Sequence, residues 1–354
     1  MRTLLFLLLL VGQLATAADI APYEARFGRT KPVVAVAGDN NGTELVDFVI
    51  PYGVLKRSGA ADVISVATRP GVMKMLPALN MQPDATLADF DKRYPDGADY
   101  VIVPAVANYA TSALGPWVVA QAAKGATIVS ICDGVLVVAG SGLLKGHRAT
   151  GHWGSQSYRQ QHFPDTLWVK NMRYVVDGKL VSSAGVSAAM PTALALVEAI
   201  SGAARAAGLA HDMGVDNWST SHNSDAFRPA LGRNLGAYIS GYTNQWFHST
   251  ESIGVPVTAG MDEISLAFTA DAWARSKRSI VLSVAPSFAP LATRSGLTLV
   301  PDRVAGAAGT PEVLASVGAL PGRALDHALG ALAQRYGHRT AGLVALEFEY
   351  PAYQ

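Results

Sequence analysis

The sequence predicts an α/β sandwich built on a parallel sheet, followed by a second, partial α/β lobe. Three observations predict it. Between Pro32 and Leu144, short β-branched runs alternate with stretches of helical period, as in a parallel sheet covered on both faces. The order helix, strand, turn returns after residue 260. At 354 residues the chain is also long for one domain.

In chain order, MRTLLFLLLLVGQLATA carries one charge, Arg2, ahead of an apolar run and ends on Ala15 and Ala17. Residues 1–17 therefore read as a secretory signal peptide, too short to anchor the chain in a bilayer. The expected mature start is Ala18, the expected compartment periplasmic or secreted, and no stable membrane insertion is expected after cleavage. Residues 18–31 form an N-terminal extension. VVAVAG, DVISVAT, DYVIVPAV and ATIVSI read as buried strands, GTELVDFVIPYGVLKRSG and GVLVVAGSGLL as helices, WVKNMRYVVDGKLVSSAG as a strand pair and MPTALALVEAISG as a helix. Residues 206–253 mix turn formers with aromatics and read as an interlobe segment. Beyond them GMDEISLAFTADAWARS and ALDHALGALAQRYG have helical period, whereas SIVLSVAP, GLTLVPD and the terminal GLVALEFEY read as strands.

Sliding the chain by 218 residues lays Gly42–Asp84 over Gly260–Asp302 without a gap. Arg57 and Ser58 then pair with Arg275 and Ser276, Ser65 with Ser283, and Asp84 with Asp302. The agreement of element order reads as a decayed duplication.

Basic and acidic residues balance, 28 against 27, with no Lys/Arg cluster, so nucleic acid is not an expected partner. The chain has one cysteine, so no internal disulfide can form. Phosphate-loop and serine-elbow patterns and clustered Cys/His spacing are absent from the sequence, so neither a cofactor nor a metal is expected.

The chemistry concentrates at ATIVSICDGVLVVAG, where Cys132-Asp133-Gly134 joins an apolar strand to a small-residue helix. A thiol on such a turn stands clear of the sheet edge, and amides at the helix start can lower its pKa or receive an oxyanion. Gly134 suits the close approach such a turn needs. Buried filler is the commoner role for a cysteine, but filler sits more often in mid-strand or mid-helix. His152, in RATGHW, falls where a short strand would return to the same sheet edge; the other seven histidines have no comparable setting and read as structural or exposed. Asp47 lies among Leu45, Val46, Phe48 and Val49, so its carboxylate must be paired, protonated or catalytic. Glu44 reads as a first-turn residue favoured by the helix dipole.

These segments, with GLLKGHRATGHW and DYVIVPA, resemble the ThiJ/PfpI superfamily, over roughly residues 32–202. The GLLKGHRATGHW stretch is especially similar to the sensor domains of AraC-type regulators, although no DNA-binding region follows it. The resemblance implies a flavodoxin-like, glutamine amidotransferase-like fold, with residues 32–205 as the ThiJ/PfpI-like domain and 254–354 as a degenerate second copy. It implies Cys132 as nucleophile, Asp47 as the carboxylate near the thiol, His152 as the nearby histidine, the amides of Ala105 and Asp133 as oxyanion donors, and a homodimer. Aspartate at position 47, where peptidase and deglycase branches carry glutamate, is similar to isocyanide hydratases. Ala105-Val106-Ala107 replaces paired glycines, and Asp133 adds a charge beside the thiol. The expected function is a cysteine-dependent hydrolase or hydratase acting on a small electrophile. The alternatives are a non-catalytic small-molecule-binding or redox-sensing protein, and a purely structural module.

Overall fold

The computed structural model describes residues 19–314 and 320–353; the expected signal peptide lies outside the described residues. The first lobe is built on strands β1 (Val33–Gly38), β2 (Asp62–Ala67), β3 (Tyr100–Val103), β4 (Thr127–Ser130) and β5 (Leu180–Ser183). Its seven-stranded sheet runs Tyr174–Asp177, β5, β4, β3, β1, β2, Ala85–Thr86. Every pairing is parallel except the edge hairpin of Tyr174–Asp177 with β5. Residues on both faces of β1 and β3 are buried, Val34 and Val36 in one apolar cluster and Ala35 and Val101 in another. This is the α/β sandwich expected from unbroken apolar strands.

Helix α1 (Leu45–Ser58) follows β1 and ends on Gly59, whose φ of 65° lets its N–H return to the Lys56 carbonyl. Helices α2 (Val135–Gly140) and α3 (Ala189–Ser201) complete the parts of the lobe that frame the cysteine.

The second lobe is a smaller α/β unit. Strand β6 (Glu251–Pro256), helix α4 (Glu263–Arg275) and strand β7 (Ser279–Ala285) form its centre, in a four-stranded parallel sheet with the short strands Arg303–Val304 and Glu312–Val313. These elements recur at the 218-residue offset: Val33–Gly38 onto Glu251–Pro256, and Ala85–Thr86 onto Arg303–Val304. Ser65 N–H and Oγ both donate to Asp84 Oδ2, and Ser283 N–H and Oγ both donate to Asp302 Oδ2.

Two sequence expectations need correction. The 253/254 boundary falls inside β6, and residues 206–253 are no plain connector, because they contain helix Leu235–Phe247 and most of helix Ala203–Met213. GLVALEFEY is not a strand: helix α5 (Ala324–Tyr336) is followed by helix α6 (His338–Glu347). Its Ala and Leu content favours a helix, and it buries Ala341, Val344 and Ala345 against α5 and Leu235–Phe247.

The lobes meet where α1 packs on α4. Gly53 makes this approach close, since a Cβ there would lie 2.7 Å from Glu263 Oε1. Arg57 spans the contact, at 2.7 Å to Asp262 and 2.5 Å to the fully buried Glu263. Removing this guanidinium leaves a buried carboxylate uncompensated, so Arg57→Met is expected to cost about 3 kcal/mol. Urea unfolding measures it, and a loss well under about 1 kcal/mol would mean the pair is effectively solvated.

Candidate active site

Strand β4 ends at Ser130, and the chain turns sharply at Cys132, which has a φ of 55°. A non-glycine residue in the left-handed region is strained, and such strain persists where surrounding structure enforces it. The enforcing contacts are visible. Cys132 N–H donates to Ser183 Oγ at 3.2 Å, Ile131 N–H to the Val103 carbonyl at 2.9 Å, and Gly134 N–H to the Ile131 carbonyl at 2.8 Å. Gly134 packs directly on the end of β3, where an added Cβ would sit 2.0 Å from the Val103 carbonyl oxygen. The expected elbow is therefore present, with Cys132 at the carboxyl edge of the sheet. The thiol is buried, at 5% exposure. A cleft of about 770 Å³ beside Arg57, Asp262 and Arg294 does not reach it.

Asp47 is wholly buried in the first turn of α1. Its Oδ2 accepts from the Ala105 N–H at 3.1 Å, while Oδ1 is buried without a hydrogen-bond partner. Glu44 caps α1, accepting the Asp47 N–H at 2.5 Å, and its own N–H donates to the Ala105 carbonyl. Burial, opposed by the Ala105 N–H, the Glu44 contact and Arg275, pushes the Asp47 carboxyl up to about 8. Burial and the Asp47 charge push Glu44 up to about 7. Burial, then the charges of Asp47, Asp133 and Glu44, drive the Cys132 thiol well above its ordinary range, and Arg275 opposes them. No hydrogen bond joins the sulfur to Asp47.

The remaining expected site residues are placed differently. The Ala105 N–H is not a free oxyanion donor, because Asp47 occupies it. Asp133 accepts from Ser155 Oγ at 2.5 Å, with Arg159 at 3.8 Å; its amide lies in the first turn of the elbow, where amides have no intrahelical acceptor. His152 is not a partner of the thiol. Its Nδ1 accepts from the Gly154 N–H, so Nε2 carries the proton and donates to the Glu347 carbonyl at 2.9 Å. The α6 terminus thus occupies Nε2 and the local turn occupies Nδ1, so both ring nitrogens are engaged. The side chain of His222, read as structural or exposed, is buried in a 2.6 Å contact with Glu349.

Arg275 and Asp271, both from α4, are the residues that sequence reasoning missed. Arg275 donates to Asp271 Oδ1 at 2.5 Å and to Glu44 Oε1 at 2.6 Å, and lies 3.7 Å from Glu347. The available signal was the offset that pairs Arg275 with Arg57.

The raised carboxyls bear on stability. Asp47 and Glu44 have folded pKa values above their unfolded ones, so they favour the fold fully below about pH 4 and lose that contribution as pH rises through about 7 to 8. The thermal midpoint should fall between pH 5 and 8.5, and Asp47→Asn should flatten the slope. An equal slope in the variant would contradict this assignment.

Fold and site together define an α/β protein with a thiol on a strand-to-helix elbow beside a buried carboxyl. Residues 32–199 match the DJ-1/PfpI family, and the first lobe is a DJ-1/PfpI family domain. The chain is 26% identical over 166 residues to Protein dj-1beta of Drosophila melanogaster, covering 46% of this chain and 86% of that one. It is 37% identical over 82 residues to isonitrile hydratase of Pseudomonas putida, covering 23% and 35%, and 36% identical over 87 residues to the HTH-type transcriptional regulator CdhR of Pseudomonas aeruginosa, covering 25% and 26%. The crystal structure of Drosophila DJ-1beta superposes on 53% of this chain and all of its own, with a TM-score of 0.48 and 24% identity. Among the described residues no helix is long and apolar enough to cross a membrane.

Proposed function

We propose that the protein is an exported, cysteine-dependent hydratase or hydrolase acting on a small, uncharged electrophilic carbon, with Cys132 as nucleophile and Asp47 as proton-transfer group. The observation that carries this reading is the strained Cys132 elbow, with φ at 55°, beside a buried carboxyl that stays protonated up to about pH 8. A neutral carboxylic acid can donate a proton to the reacting carbon, and its conjugate base can take one from the thiol. Burial of the thiol favours a small substrate, and the surrounding acids disfavour an anionic one.

For an isonitrile, sulfur bonds to the terminal carbon while the thiol proton passes through Asp47 to that carbon, giving a thioimidate. Water adds to the same carbon, its oxygen bonding to carbon and one of its hydrogens passing to nitrogen; the C–S bond then breaks as the hydroxyl proton moves to sulfur, which restores the thiol and releases an N-substituted formamide. The likeness to isonitrile hydratase, and aspartate at position 47, support this branch. Turnover in a screen of isonitriles, amides and reactive aldehydes tests it; activity on none of the three classes would contradict it.

A second reading is a non-catalytic small-molecule-binding or redox-sensing protein. One observation favours it: the thiol is buried and its pKa is raised, which suppresses the reactive thiolate. We read the second lobe as a decayed copy of the first, supported by the recurrence of elements and of the Ser–Asp contacts at one offset. It has no cysteine, and Ser265 stands at the position of Asp47. Any homodimer uses a face other than the α1 surface that α4 covers. Residues 1–17 direct the chain to the periplasm or the exterior in this account.

A further inference from the structure

Three carboxyl groups, Glu44, Asp47 and Asp271, are buried around one guanidinium, Arg275. Two come from the first lobe and one, with the arginine, from the second. The contacts form a continuous chain. Arg275 binds Asp271 and Glu44, Glu44 accepts the Asp47 N–H, and Asp47 accepts the Ala105 N–H, next to the Pro104 carbonyl against which Gly134 of the elbow packs. At either end of the chain one carboxyl oxygen, Asp47 Oδ1 and Asp271 Oδ2, is buried without a hydrogen-bond partner.

We infer that helix α4 of the second lobe completes the Cys132 site, Arg275 and Asp271 acting as positioning residues that hold Glu44 and, through it, Asp47 beside the elbow. The inference rests on Cys132 being the nucleophile. One guanidinium can balance only one of three carboxylates, so the cluster retains protons, and Asp47 remains an acid where an exposed aspartate would be ionised. Burial and the neighbouring Glu44 raise Asp271, and Arg275 opposes the rise. The titratable and charged groups facing Cys132 are Asp47 on α1, Glu44 at its N-cap, Asp133 on the elbow and Arg275 on α4. Arg159 interacts with Cys132, Asp133 and Glu349, and Glu347 of α6 with Arg275. Among them Arg275, from the second lobe, opposes the acids, and Asp271 is bound to that guanidinium.

This arrangement predicts effects of opposite sign from two adjacent contacts. The readout is the rate at which the chain's single thiol is alkylated by iodoacetamide at pH 8 in the folded full-length protein. A nearby charge moves a pKa by roughly one to three units, and one unit changes the thiolate fraction about tenfold. Arg275→Met should therefore slow alkylation about tenfold, Asp271→Asn should accelerate it about threefold or more, and Arg275→Lys should restore most of the rate. A bulky maleimide run in parallel reports lobe opening: a charge effect leaves the bulky-to-small rate ratio unchanged, whereas opening raises it. If Arg275→Met does not fold, the Asp271→Asn rate and ratio decide alone. Unchanged rates, changes of the same sign in both variants, or a raised ratio overturn the inference while leaving the nucleophile reading intact. No alkylation of the folded parent protein removes the nucleophile reading, and the inference with it.

Discussion

Gly134→Ala should be the most damaging single-methyl addition in the first lobe. The glycine is required for space, since its φ of −57° suits any residue. The new Cβ would meet the Val103 carbonyl oxygen at 2.0 Å and the Pro104 carbonyl carbon at 2.8 Å, and both are backbone atoms that no rotamer change can move. Relief requires the elbow to lift from β3, which breaks the Ile131 to Val103 hydrogen bond and opens the packing of Val135 and Val137. Overpacking typically costs about 1–3 kcal/mol, and a backbone clash in the sheet core belongs at or above the upper end. The variant should show a sharply lowered urea midpoint or fail to accumulate. A midpoint within error of the parent would mean that the elbow is not packed against β3.

The second large effect falls on turnover. Cys132→Ser should abolish it, because a hydroxyl in this buried, acidic setting ionises far less readily than the thiol. Asp47→Asn should reduce it by about 10²- to 10⁴-fold, the range for removal of a positioned general acid or base. The fold should survive this change, as the amide is nearly isosteric and can still accept from the Ala105 N–H. Retention of more than about a tenth of the activity in Asp47→Asn would move the proton-transfer role to another group.

The elbow and Asp47 were legible in the sequence because each is a local contradiction. A polar residue inside an apolar helix and a thiol between a strand and a small-residue helix both need a reason that neighbours alone supply. The central strands were legible because a sheet buried on both faces leaves an uninterrupted apolar run. His152 was misjudged because the partner of its Nε2, the Glu347 carbonyl, depends on where α6 arrives, while only the Gly154 contact at Nδ1 is local. The strand read at GLVALEFEY failed for a related reason: its apolar residues fit either period, and only packing on α5 and Leu235–Phe247 decides for the helix. The offset onto Arg57 marked Arg275 but not its place in the site, because α4 reaches the cluster by packing on α1, a relation that no periodicity encodes.

The central claim is that a buried thiol on this elbow acts as a nucleophile, and the intact mass of the folded protein after iodoacetamide treatment at pH 7.5 tests it most directly. A single adduct per chain is expected, mapped to the peptide bearing Cys132 and absent from Cys132→Ser. A chain that stays unmodified until urea unfolds it would contradict the claim and transfer the case to the binding-protein reading.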